Sequence, residues 1–504
     1  MSTAVRRLAD LLAGIAVPAP ADDIVVSGLS MDSRRIRHGD AFLALRGNIT
    51  HGITFAPAAL ASGASVILAE APAPAAFMER ELRAKVSGRS ETPILWIENL
   101  RAQVGEIAAR FFDRPSASLH VIGVTGTNGK TSIVQLLAAA LESLGARAAT
   151  IGTLGAGMAG ALAAGERTTP DAVSVQALLA KFRDAGATHA AMEVSSHALD
   201  QGRVNAVTFE VAVFTNLSRD HLDYHGTMQA YGAAKAKLFA SPGLRSAVIN
   251  ADEDFGRELA AALRADVRGL RYGIDAADAE IRAHTVRIGD AGLQFVLSTP
   301  WGEGAITSPL LGRFNVYNLL AVAGCLGALG YAFAHIQKAL TQLQPVAGRM
   351  HRIGGGAAAP LVVIDYAHTP DALDQALTSL RAHCAGRLIC VFGCGGERDQ
   401  GKRPQMGAIA ERLADRIIIT DDNPRAENGD VIVAQIVAGL ERPQHAVIRR
   451  DRATAITQAL REANAGDIVL IAGKGHEPYQ EVAGAKLAFD DLDVARHALE
   501  ARPC

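Results

Sequence analysis

The most regular feature of the chain is the alternation of short apolar runs with longer segments of helical periodicity. In the middle of the chain these runs occupy residues 119–122, 190–194, 211–214 and 247–250. They end in polar residues, which is typical of buried strands in a mostly parallel sheet whose functional groups gather at the carboxyl ends of the strands. Similar runs, each followed by a helical pattern, occupy residues 361–365, 388–392, 416–420 and 468–472. These predict a second α/β unit of the doubly wound kind.

The regions around these two units contain shorter elements and breakers. The first block has apolar runs at residues 25–29, 41–45, 66–69 and 94–97. The glycine- and alanine-rich residues 155–165 predict a mobile loop, and residues 354–356, all glycine, predict a linker. At the N-terminus, the spacing of Leu8, Leu11 and Leu12 predicts an amphipathic helix rather than a signal peptide.

A glycine-rich segment opens the middle unit. It reads Gly123-Val124-Thr125-Gly126-Thr127-Asn128-Gly129-Lys130-Thr131-Ser132, between an apolar run and a helical pattern. Glycines allow backbone N–H groups to surround a phosphate, the helix directs its positive end at the same anion, and a Gly-Lys-Thr sequence supplies an ammonium and an Mg²⁺-binding hydroxyl. Val124 replaces the first glycine of the strict pattern. We interpret the segment as a site for a nucleoside triphosphate.

These patterns predict an α/β protein of three domains. The expected boundaries are residues 1–118, 119–345 and 346–504. The central domain would contain the phosphate loop and a mostly parallel sheet, and the C-terminal domain would be Rossmann-like.

Composition narrows the possible classes of function. The 504 residues carry a formal net charge of −2, which gives no electrostatic reason to expect binding to nucleic acid or to an anionic membrane. The five cysteines form no paired CxxC sets, so we expect a reducing, cytoplasmic environment rather than disulfides or structural zinc. No apolar run is long enough to span a bilayer, and we expect no membrane insertion.

Two polar clusters follow successive strands of the central unit. Glu193 lies in Met192-Glu193-Val194-Ser195-Ser196-His197, and His221 lies in Ser218-Arg219-Asp220-His221. Either cluster alone could be a helix cap or a solvated loop. Together with the phosphate loop they indicate ligation of a metal and a substrate.

A further segment, residues 231–239, has the periodicity of a helix. Tyr231, Ala234 and Leu238 share one face, Lys235 borders it and Lys237 points away. From spacing alone, both lysines are interpreted as surface residues with buried stems.

The phosphate loop, the two polar clusters and residues 231–239 together resemble the Mur ligases of peptidoglycan synthesis, over essentially the whole chain. The resemblance implies use of ATP and Mg²⁺, with cell-wall synthesis as the process. It implies catalytic roles for Lys130, Glu193, His221 and Lys235, and metal ligation by Thr131, Glu193, His221 and a carbamylated Lys235 (N6-carboxylysine). Nucleotide contacts would come from residues 126–132, from Asn315 and from Arg349.

Within the family, the chain is most similar to members that add the third peptide residue. Their substrates would be UDP-N-acetylmuramoyl-L-alanyl-D-glutamate and meso-2,6-diaminopimelate, and we expect a monomer. The implied contacts with the muramoyl peptide are Met31, Ser33, Asn48, Ile49, Thr50, Thr168, Thr169, Ser195, Gln201 and Arg203. The implied contacts with the amino acid are Arg398, Asp422, Asn423, Pro424, Arg425, Gly473 and Glu477.

The amino-acid contacts have a physical reason. Diaminopimelate carries a second carboxylate that lysine lacks, and the planar fork of Arg425 matches it. A site built for that carboxylate would leave the arginine unpaired when lysine binds. The Asp422 to Arg425 segment is also a good turn sequence, and in isolation a surface turn would be the better interpretation.

The resemblance implies a reaction through an acyl phosphate, with domain closure assembling the site. Three alternatives remain. An L-lysine-adding homologue would turn over equally well with lysine, and a ligase like folylpolyglutamate synthetase would accept folate. A P-loop switch protein would hydrolyse ATP without either substrate.

Overall fold

The computed structural model describes residues 5–15, 24–47, 49–75, 77, 93–165, 167–289, 292–356 and 359–502. Sheets of four, eleven and six strands dominate these residues, each flanked by helices. The predicted α/β class, with a mostly parallel central sheet and a doubly wound C-terminal unit, is confirmed. Of the helices in these ranges, none combines the length and the apolar character that crossing a bilayer requires.

The first sheet is parallel and small. In spatial order its strands are Gly28–Ser30, Asp40–Ala44, Val66–Glu70 and Ile94–Ile97. Helices Leu8–Leu12, Ala56–Ala61 and Leu100–Phe111 accompany it, with short 3₁₀ turns at Ser33–Arg35, Gly52–Phe55 and Pro115–Ser118 and a two-stranded ribbon of Arg6–Arg7 and Val25–Val26. Leu8, Leu11 and Leu12 are buried, as the amphipathic pattern predicts.

The second sheet places parallel strands at its centre and antiparallel pairs at both edges. Its spatial order is Ala161–Ala163, Gly155–Met158, Ala148–Gly152, His189–Glu193, His120–Thr125, Val211–Phe214, Ser246–Asn250, Arg268–Gly273, Ile281–Gly289, Gly292–Thr299 and Gly302–Ser308. Its helices are Lys130–Ser143, Ala172–Asp184, Ser196–Asp200, Leu222–His225, Met228–Ala236, Asp254–Ala261, Arg313–Ala328 and Phe333–Gln342, with a 3₁₀ turn at Lys237–Ala240. Apolar clusters cover both faces, so the parallel strands are buried.

The third sheet has one antiparallel edge strand. Its spatial order is His351–Gly354, Leu361–Asp365, Ile468–Ala472, Leu388–Phe392, Arg416–Ile419 and Ala446–Ile448. Helices Pro370–Arg381, Lys402–Leu413, Gly429–Val437, Arg452–Glu462 and Asp491–Glu500, a 3₁₀ turn at Pro443–His445 and a hairpin of Tyr479–Val482 and Ala485–Ala488 complete this unit.

Of the two local predictions from glycine content, the mobile loop at residues 155–165 is wrong. The expected loop at residues 155–165 contains the antiparallel strands Gly155–Met158 and Ala161–Ala163. A Cβ on Gly155 would lie 2.3 Å from the oxygen of Ala163, so the glycine allows close approach of two backbones. The expected linker begins inside the strand His351–Gly354, and its glycines turn the chain into an antiparallel pair with Leu361–Asp365.

Candidate functional site

The phosphate loop joins strand His120–Thr125 to helix Lys130–Ser143, as the sequence predicts. Gly126 has a φ of 147°, and a Cβ there would lie 1.8 Å from the hydroxyl of Thr215. Lys130 Nζ donates to the backbone oxygens of Gly126 and Thr127, both at 2.8 Å. Burial lowers the pKa of Lys130, although Glu193 and Asp220 act in the opposite direction. The loop therefore folds around the ammonium of Lys130, and a side chain at position 126 would clash with Thr215.

Residues after the next strand hold the loop in place. Thr127 Oγ1 accepts a hydrogen bond from the backbone N–H of Ser218, and Asn216 Oδ1 accepts one from the N–H of Asn128. Thr215 Oγ1 donates to the backbone oxygen of Asn128 at 2.6 Å. Thr215 and Asn216 thus support the loop, a role that the sequence analysis missed because their partners lie almost ninety positions away.

Glu193 is buried at the end of its strand and faces the phosphate loop. Its Oε2 accepts from Thr131 Oγ1 at 3.0 Å, and its Oε1 accepts from the backbone N–H of Thr153 at 2.7 Å. A Cβ on Gly152 would lie 2.3 Å from Glu193 Oε1. Thr153 is a second residue that the sequence analysis missed, because it belongs to a neighbouring strand end.

Lys235 contradicts the interpretation drawn from helical spacing. Its residue exposure is 1%, and Nζ donates to the backbone oxygen of Gly126 at 2.8 Å. The ammonium also lies 4.2 Å from the ring centroid of Tyr231. The helix Met228–Ala236 packs against the phosphate loop on the side where Lys235 projects, whereas Lys237 reaches the surface and pairs with Asp200. Tertiary packing therefore decides which of the two lysines is buried.

The environment of Lys235 favours the neutral amine. Burial and the neighbouring Lys130 hold the pKa of Lys235 well below that of an exposed lysine, with Asp220 opposing them. A neutral amine is a nucleophile, whereas an ammonium is not. The position is thus chemically suited to react with an electrophile such as CO₂.

His221 precedes the short helix Leu222–His225 with a φ of 54°. Its Nε2 lies 3.4 Å from Asp220 Oδ2, and its ring centroid is 4.8 Å from that of His197. Burial lowers the pKa of His221, while Asp220 opposes this effect. The neutral imidazole, which is the form that binds metals, is therefore favoured.

The donor set fits a magnesium ion that shares ligands with phosphate. Thr131 and Glu193 present oxygen donors beside the loop, and Mg²⁺ prefers oxygen ligands with several supplied by substrate or water. In the part of the chain that the structure describes, no group of three or more His, Cys, Asp and Glu side chains is arranged to hold a metal alone.

The residues predicted to contact the muramoyl peptide in the central domain form a connected network. Thr169 Oγ1 donates to the backbone oxygen of Glu193 at 2.8 Å and accepts from the N–H of Ser195 at 3.2 Å. Arg203 donates to the backbone oxygen of Thr169 at 2.9 Å and to Gln201 Oε1 at 2.6 Å. Thr168 extends the network, since its Oγ1 lies 3.1 Å from Thr153 Oγ1.

The predicted contacts in the first domain are more scattered. Ser33 is buried in its 3₁₀ turn, and Met31 packs against the apolar core of the first sheet. Thr50 Oγ1 lies 3.3 Å from Thr54 Oγ1, and the side chain of Ile49 is fully exposed. Asn48 lies outside the described residues.

The other residues predicted to contact the nucleotide lie near the loop but far apart in the chain. Asn318 Nδ2 donates to Asn315 Oδ1 at 2.8 Å, and a Cβ on Gly129 would lie 2.9 Å from Asn318 Oδ1. Arg349 reaches the loop from the start of the third domain, with Nη2 donating to Thr131 Oγ1 at 3.2 Å and its guanidinium 4.6 Å from the ring centroid of Tyr366.

Asp371 makes a second contact between the third domain and the loop. Its Oδ2 accepts from Asn128 Nδ2 at 2.9 Å and from Ser218 Oγ at 3.1 Å. The residue lies in the first turn of helix Pro370–Arg381, where the only sequence signal is a Thr-Pro-Asp helix start. This carboxylate is not among the nucleotide contacts that the motifs predicted.

Arg425 is the expected partner of a distal carboxylate. Its side chain is 18% exposed, Nη1 donates to the backbone oxygen of Gly396 at 2.6 Å, and Nε lies 3.4 Å from Glu481 Oε2. A Cβ on Gly395 would lie 3.0 Å from Arg425 Nη1 and 3.8 Å from Arg398 Cγ, so both guanidinium-bearing side chains flank this glycine. Because Arg425 already has protein partners, a ligand that lacks the second carboxylate should lose less binding free energy than an unpaired arginine would predict.

Other residues predicted to contact the amino acid lie beside one another. Asn423 Nδ2 donates to Glu477 Oε2 at 2.7 Å. Burial raises the pKa of Asp422, whose Oδ2 would lie 2.3 Å from a Cβ on Gly473. A Cβ on Gly396 would lie 2.0 Å from the oxygen of Pro424. Three loops that follow separate strands thus converge here.

Comparison with known proteins agrees with this arrangement. Family models match at residues 25–112 (Mur ligase family, catalytic domain), 124–326 (Mur ligase middle domain) and 348–475 (Mur ligase, glutamate ligase domain). A UDP-N-acetylmuramoyl-L-alanyl-D-glutamate--2,6-diaminopimelate ligase of Xanthomonas campestris pv. campestris (strain 8004) is 58% identical over 98% of this chain and 97% of its own length.

Two further relatives bear the same name. The Pseudomonas aeruginosa protein is 51% identical over 96% of this chain and 97% of its own. A solved structure titled as that ligase superposes with a TM-score of 0.71 at 38% identity and covers 99% of both chains. The resemblance seen in the motifs is confirmed, and the chain belongs to the Mur ligase family.

Proposed function

We propose that this chain is an ATP-dependent ligase that joins meso-2,6-diaminopimelate to the D-glutamyl residue of UDP-N-acetylmuramoyl-L-alanyl-D-glutamate. Full-length relatives named for this reaction support the proposal. The observation that carries it is the contact of Arg349 and Asp371 with the phosphate loop, because it connects the Glu193 network to the domain that contains Arg425.

The reaction would proceed in two steps. The D-glutamyl γ-carboxylate attacks the γ-phosphorus of ATP, forming an acyl phosphate and breaking the bond to ADP. The amine of diaminopimelate then attacks the acyl carbon, a C–N bond forms, phosphate leaves and the nitrogen loses a proton. Such phosphoryl transfer is accelerated mainly by positioning and by compensation of negative charge.

The residues of the central domain supply both effects. Lys130 would exchange its backbone partners for phosphate oxygens, and Thr131, Glu193, His221 and a carbamylated Lys235 would hold Mg²⁺. When bound, Mg²⁺ would compensate the charge of the transferring phosphoryl group. The Thr168, Thr169, Ser195, Gln201 and Arg203 network would orient the γ-carboxylate of the muramoyl peptide beside the loop.

Carbamylation of Lys235 follows from the state of its amine. The neutral nitrogen attacks CO₂, an N–C bond forms, and a proton is released to give an anionic carbamate. The product replaces a buried neutral amine with a carboxylate-like anion beside Lys130, which can attract the ammonium of that residue.

The third domain would bind the incoming amino acid. Arg425 would pair with the distal carboxylate, and Arg398, whose Cγ would lie 3.8 Å from a Cβ on Gly395, would supply a second guanidinium. Glu477 would hold the distal ammonium. Because Arg425 already contacts Glu481, a ligand carboxylate must displace or share that partner.

Phosphate release, measured with UDP-muramoyl-dipeptide and each amino acid in turn, tests the proposal. We expect turnover to depend on meso-diaminopimelate, and Arg425→Ala to raise its KM by about 10- to 100-fold with unchanged ATP binding. Arg461→Ala is the matched control, since Arg461 is an exposed arginine on the helix Arg452–Glu462 of the same domain.

Other outcomes would support the alternatives. Equal stimulation by L-lysine would make this a lysine-adding enzyme, and use of folate as acceptor would indicate a folylpolyglutamate synthetase-like ligase.

A cytoplasmic location and a monomeric state are also part of the proposal. The free thiols of Cys325, Cys384, Cys390 and Cys394 are consistent with a reducing compartment. Light scattering of the purified protein would test the monomer.

A further inference from the structure

Lys474 is a fully buried lysine to which the reaction described above gives no role. It lies in Gly473-Lys474-Gly475-His476-Glu477, directly after the strand Ile468–Ala472, and its side chain is 0% exposed. Complete burial of an ammonium is costly unless carboxylates or oxygen acceptors surround it. The contacts of this residue therefore indicate what it does.

The ammonium of Lys474 joins two residues of the amino-acid site. Nζ donates to Asn423 Oδ1 at 3.1 Å and to Glu477 Oε2 at 3.1 Å, and it lies 5.4 Å from the ring centroid of Tyr479. Asn423 and Glu477 are more than fifty positions apart in sequence. Lys474 is thus the cation that ties two of the three converging loops together.

These contacts fix the orientation of the Asn423 side chain. Oδ1 accepts from both Lys474 Nζ and the backbone N–H of Glu481, the latter at 2.9 Å. Two donors on the oxygen require that Nδ2 face the other way, where it donates to Glu477 Oε2 at 2.7 Å. If the amide were rotated by 180°, its NH₂ group would face the two donors, Lys474 Nζ and the N–H of Glu481, and neither hydrogen bond could form.

Glu477 is oriented by the same arrangement. Its Oε2 accepts from Asn423 and from Lys474, while within the described ranges no hydrogen bond to its Oε1 is present. The side chain is 19% exposed, so Oε1 is the oxygen available to a ligand. A carboxylate with one oxygen occupied and the other open is suited to accept a hydrogen bond from an ammonium.

The charge balance of the site also depends on Lys474. Burial raises the pKa of Asp422, and Arg452 and Lys474 lower it, while Glu477 and Asp491 raise it further. The titratable and charged groups that face this cluster are Arg349, Tyr366, Asp422, Arg425, Arg452, His476, Glu477, Tyr479, Glu481 and Asp491. Arg452 is already paired with Asp491 in the interior, so Lys474 is the cation in direct contact with Glu477.

We propose that Lys474 is a positioning residue that sets specificity for a diamino acid, because it locks Asn423 and Glu477 so that Glu477 Oε1 faces the distal ammonium. This inference rests on the proposed function, since it concerns the amino-acid site. The side-chain partners of Lys474 are Asn423 and Glu477, so its effect should be confined to recognition of the incoming amino acid.

The variant Lys474→Met keeps the length of the side chain and removes the ammonium. We expect the KM for meso-diaminopimelate to rise about 10- to 100-fold, with the KM values for ATP and UDP-muramoyl-dipeptide within twofold of wild type. The acid limb of kcat/KM for the amino acid should move to higher pH, because Asp422 loses a cation that lowers its pKa. Lys486→Met is the matched control: Lys486 is exposed and its Nζ lies 4.4 Å from the same Tyr479 ring.

A double-variant cycle separates positioning from general stability. If Lys474 acts through Glu477, then Glu477→Gln with Lys474→Met should resemble Glu477→Gln alone in its KM for meso-diaminopimelate. The double variant contains neither the buried cation nor its carboxylate partner, so it can be assayed even if Lys474→Met alone does not fold.

Three results would overturn the inference: additive effects in the cycle, an equal rise in the KM values of all three substrates, or Lys474→Met kinetics equal to those of wild type. The proposed function is assessed separately by the wild-type enzyme. If wild type does not use meso-diaminopimelate, the proposed function is wrong; if it does and the cycle is additive, only the role of Lys474 is wrong.

Discussion

The two buried lysines, Lys235 in the central domain and Lys474 in the third, differ in what surrounds them. Lys235 contacts the backbone oxygen of Gly126 and the ring of Tyr231, with the cation Lys130 nearby. Lys474 contacts the carboxylate of Glu477 and the amide oxygen of Asn423. Burial without an anion favours a neutral, reactive amine, whereas burial against a carboxylate makes a fixed cation. A buried lysine is thus suited to a chemical role in the central domain and to a positioning role in the third domain.

The largest expected difference between the two lysines is in turnover. Lys235→Met should lower kcat by about 1,000-fold, because it removes a group that compensates charge in the phosphoryl-transfer step. Lys474→Met should act mainly on the KM for the amino acid. Phosphate release under saturating substrates measures the contrast.

Lys237→Met is the control for the Lys235 variant, because Lys237 lies two positions away, is exposed and pairs with Asp200. Removal of dissolved CO₂ should lower wild-type turnover, and added bicarbonate should restore it. If Lys235→Met had the kcat of wild type, the catalytic role of Lys235 would be contradicted, and the two lysines would no longer differ in function.

The two substitutions should also change stability in opposite directions. In CO₂-depleted buffer near pH 7, Lys235→Met should raise the free energy of unfolding by about 1 kcal/mol, because a buried amine without an anion is replaced by an apolar chain. Lys474→Met should lower it by about 3 kcal/mol, because Glu477 loses the cation that contacts it and Asp422 loses a nearby positive charge. Denaturant unfolding of the full chain measures both.

The pH dependence of these two changes falls in different pH ranges, set by a lysine in one case and by an aspartate in the other. The folded wild type binds fewer protons at Lys235 than the unfolded chain does, so this residue disfavours folding below the ordinary lysine pKa of about 10.4, and Lys235→Met removes that effect. In Lys474→Met the folded state should hold a proton on Asp422 to higher pH than the unfolded chain, so stability should fall as pH rises. A stability of Lys474→Met that rises with pH relative to wild type in the range where Asp422 titrates would contradict this expectation.

The smallest effect is expected at the contact that joins the two regions. Asp371→Ala removes acceptors for Asn128 and Ser218, and should raise the KM for ATP about threefold to tenfold without changing the KM for diaminopimelate. Asp374→Ala is the control, since Asp374 lies one turn further along the same helix and pairs with Arg412. An unchanged KM for ATP would mean that the contact does not contribute to nucleotide binding.

Segments that are continuous in sequence were predictable. The phosphate loop, the strands that precede Glu193 and Asp422, and the doubly wound C-terminal unit all follow from apolar runs and the residues directly after them. The error in the assignment of secondary structure came from glycine, whereas the error at Lys235 came from helical spacing. Residues 155–165 form a hairpin because a backbone approach excludes a Cβ at Gly155, and composition does not distinguish that need from mobility.

The sequence by itself determined that the chain builds a nucleotide loop and belongs with the Mur ligases, because those signals lie in neighbouring residues whose local geometry is set by glycine, helix starts and strand ends. Only the tertiary structure decided that Lys235 is buried and Lys237 is not, that Thr153 and Asp371 complete the loop, and that Lys474 joins Asn423 to Glu477. Some of these contacts join residues that are far apart in the chain. Others distinguish two lysines that lie only two positions apart. Their geometry depends on how sheets and helices pack, which no local pattern specifies.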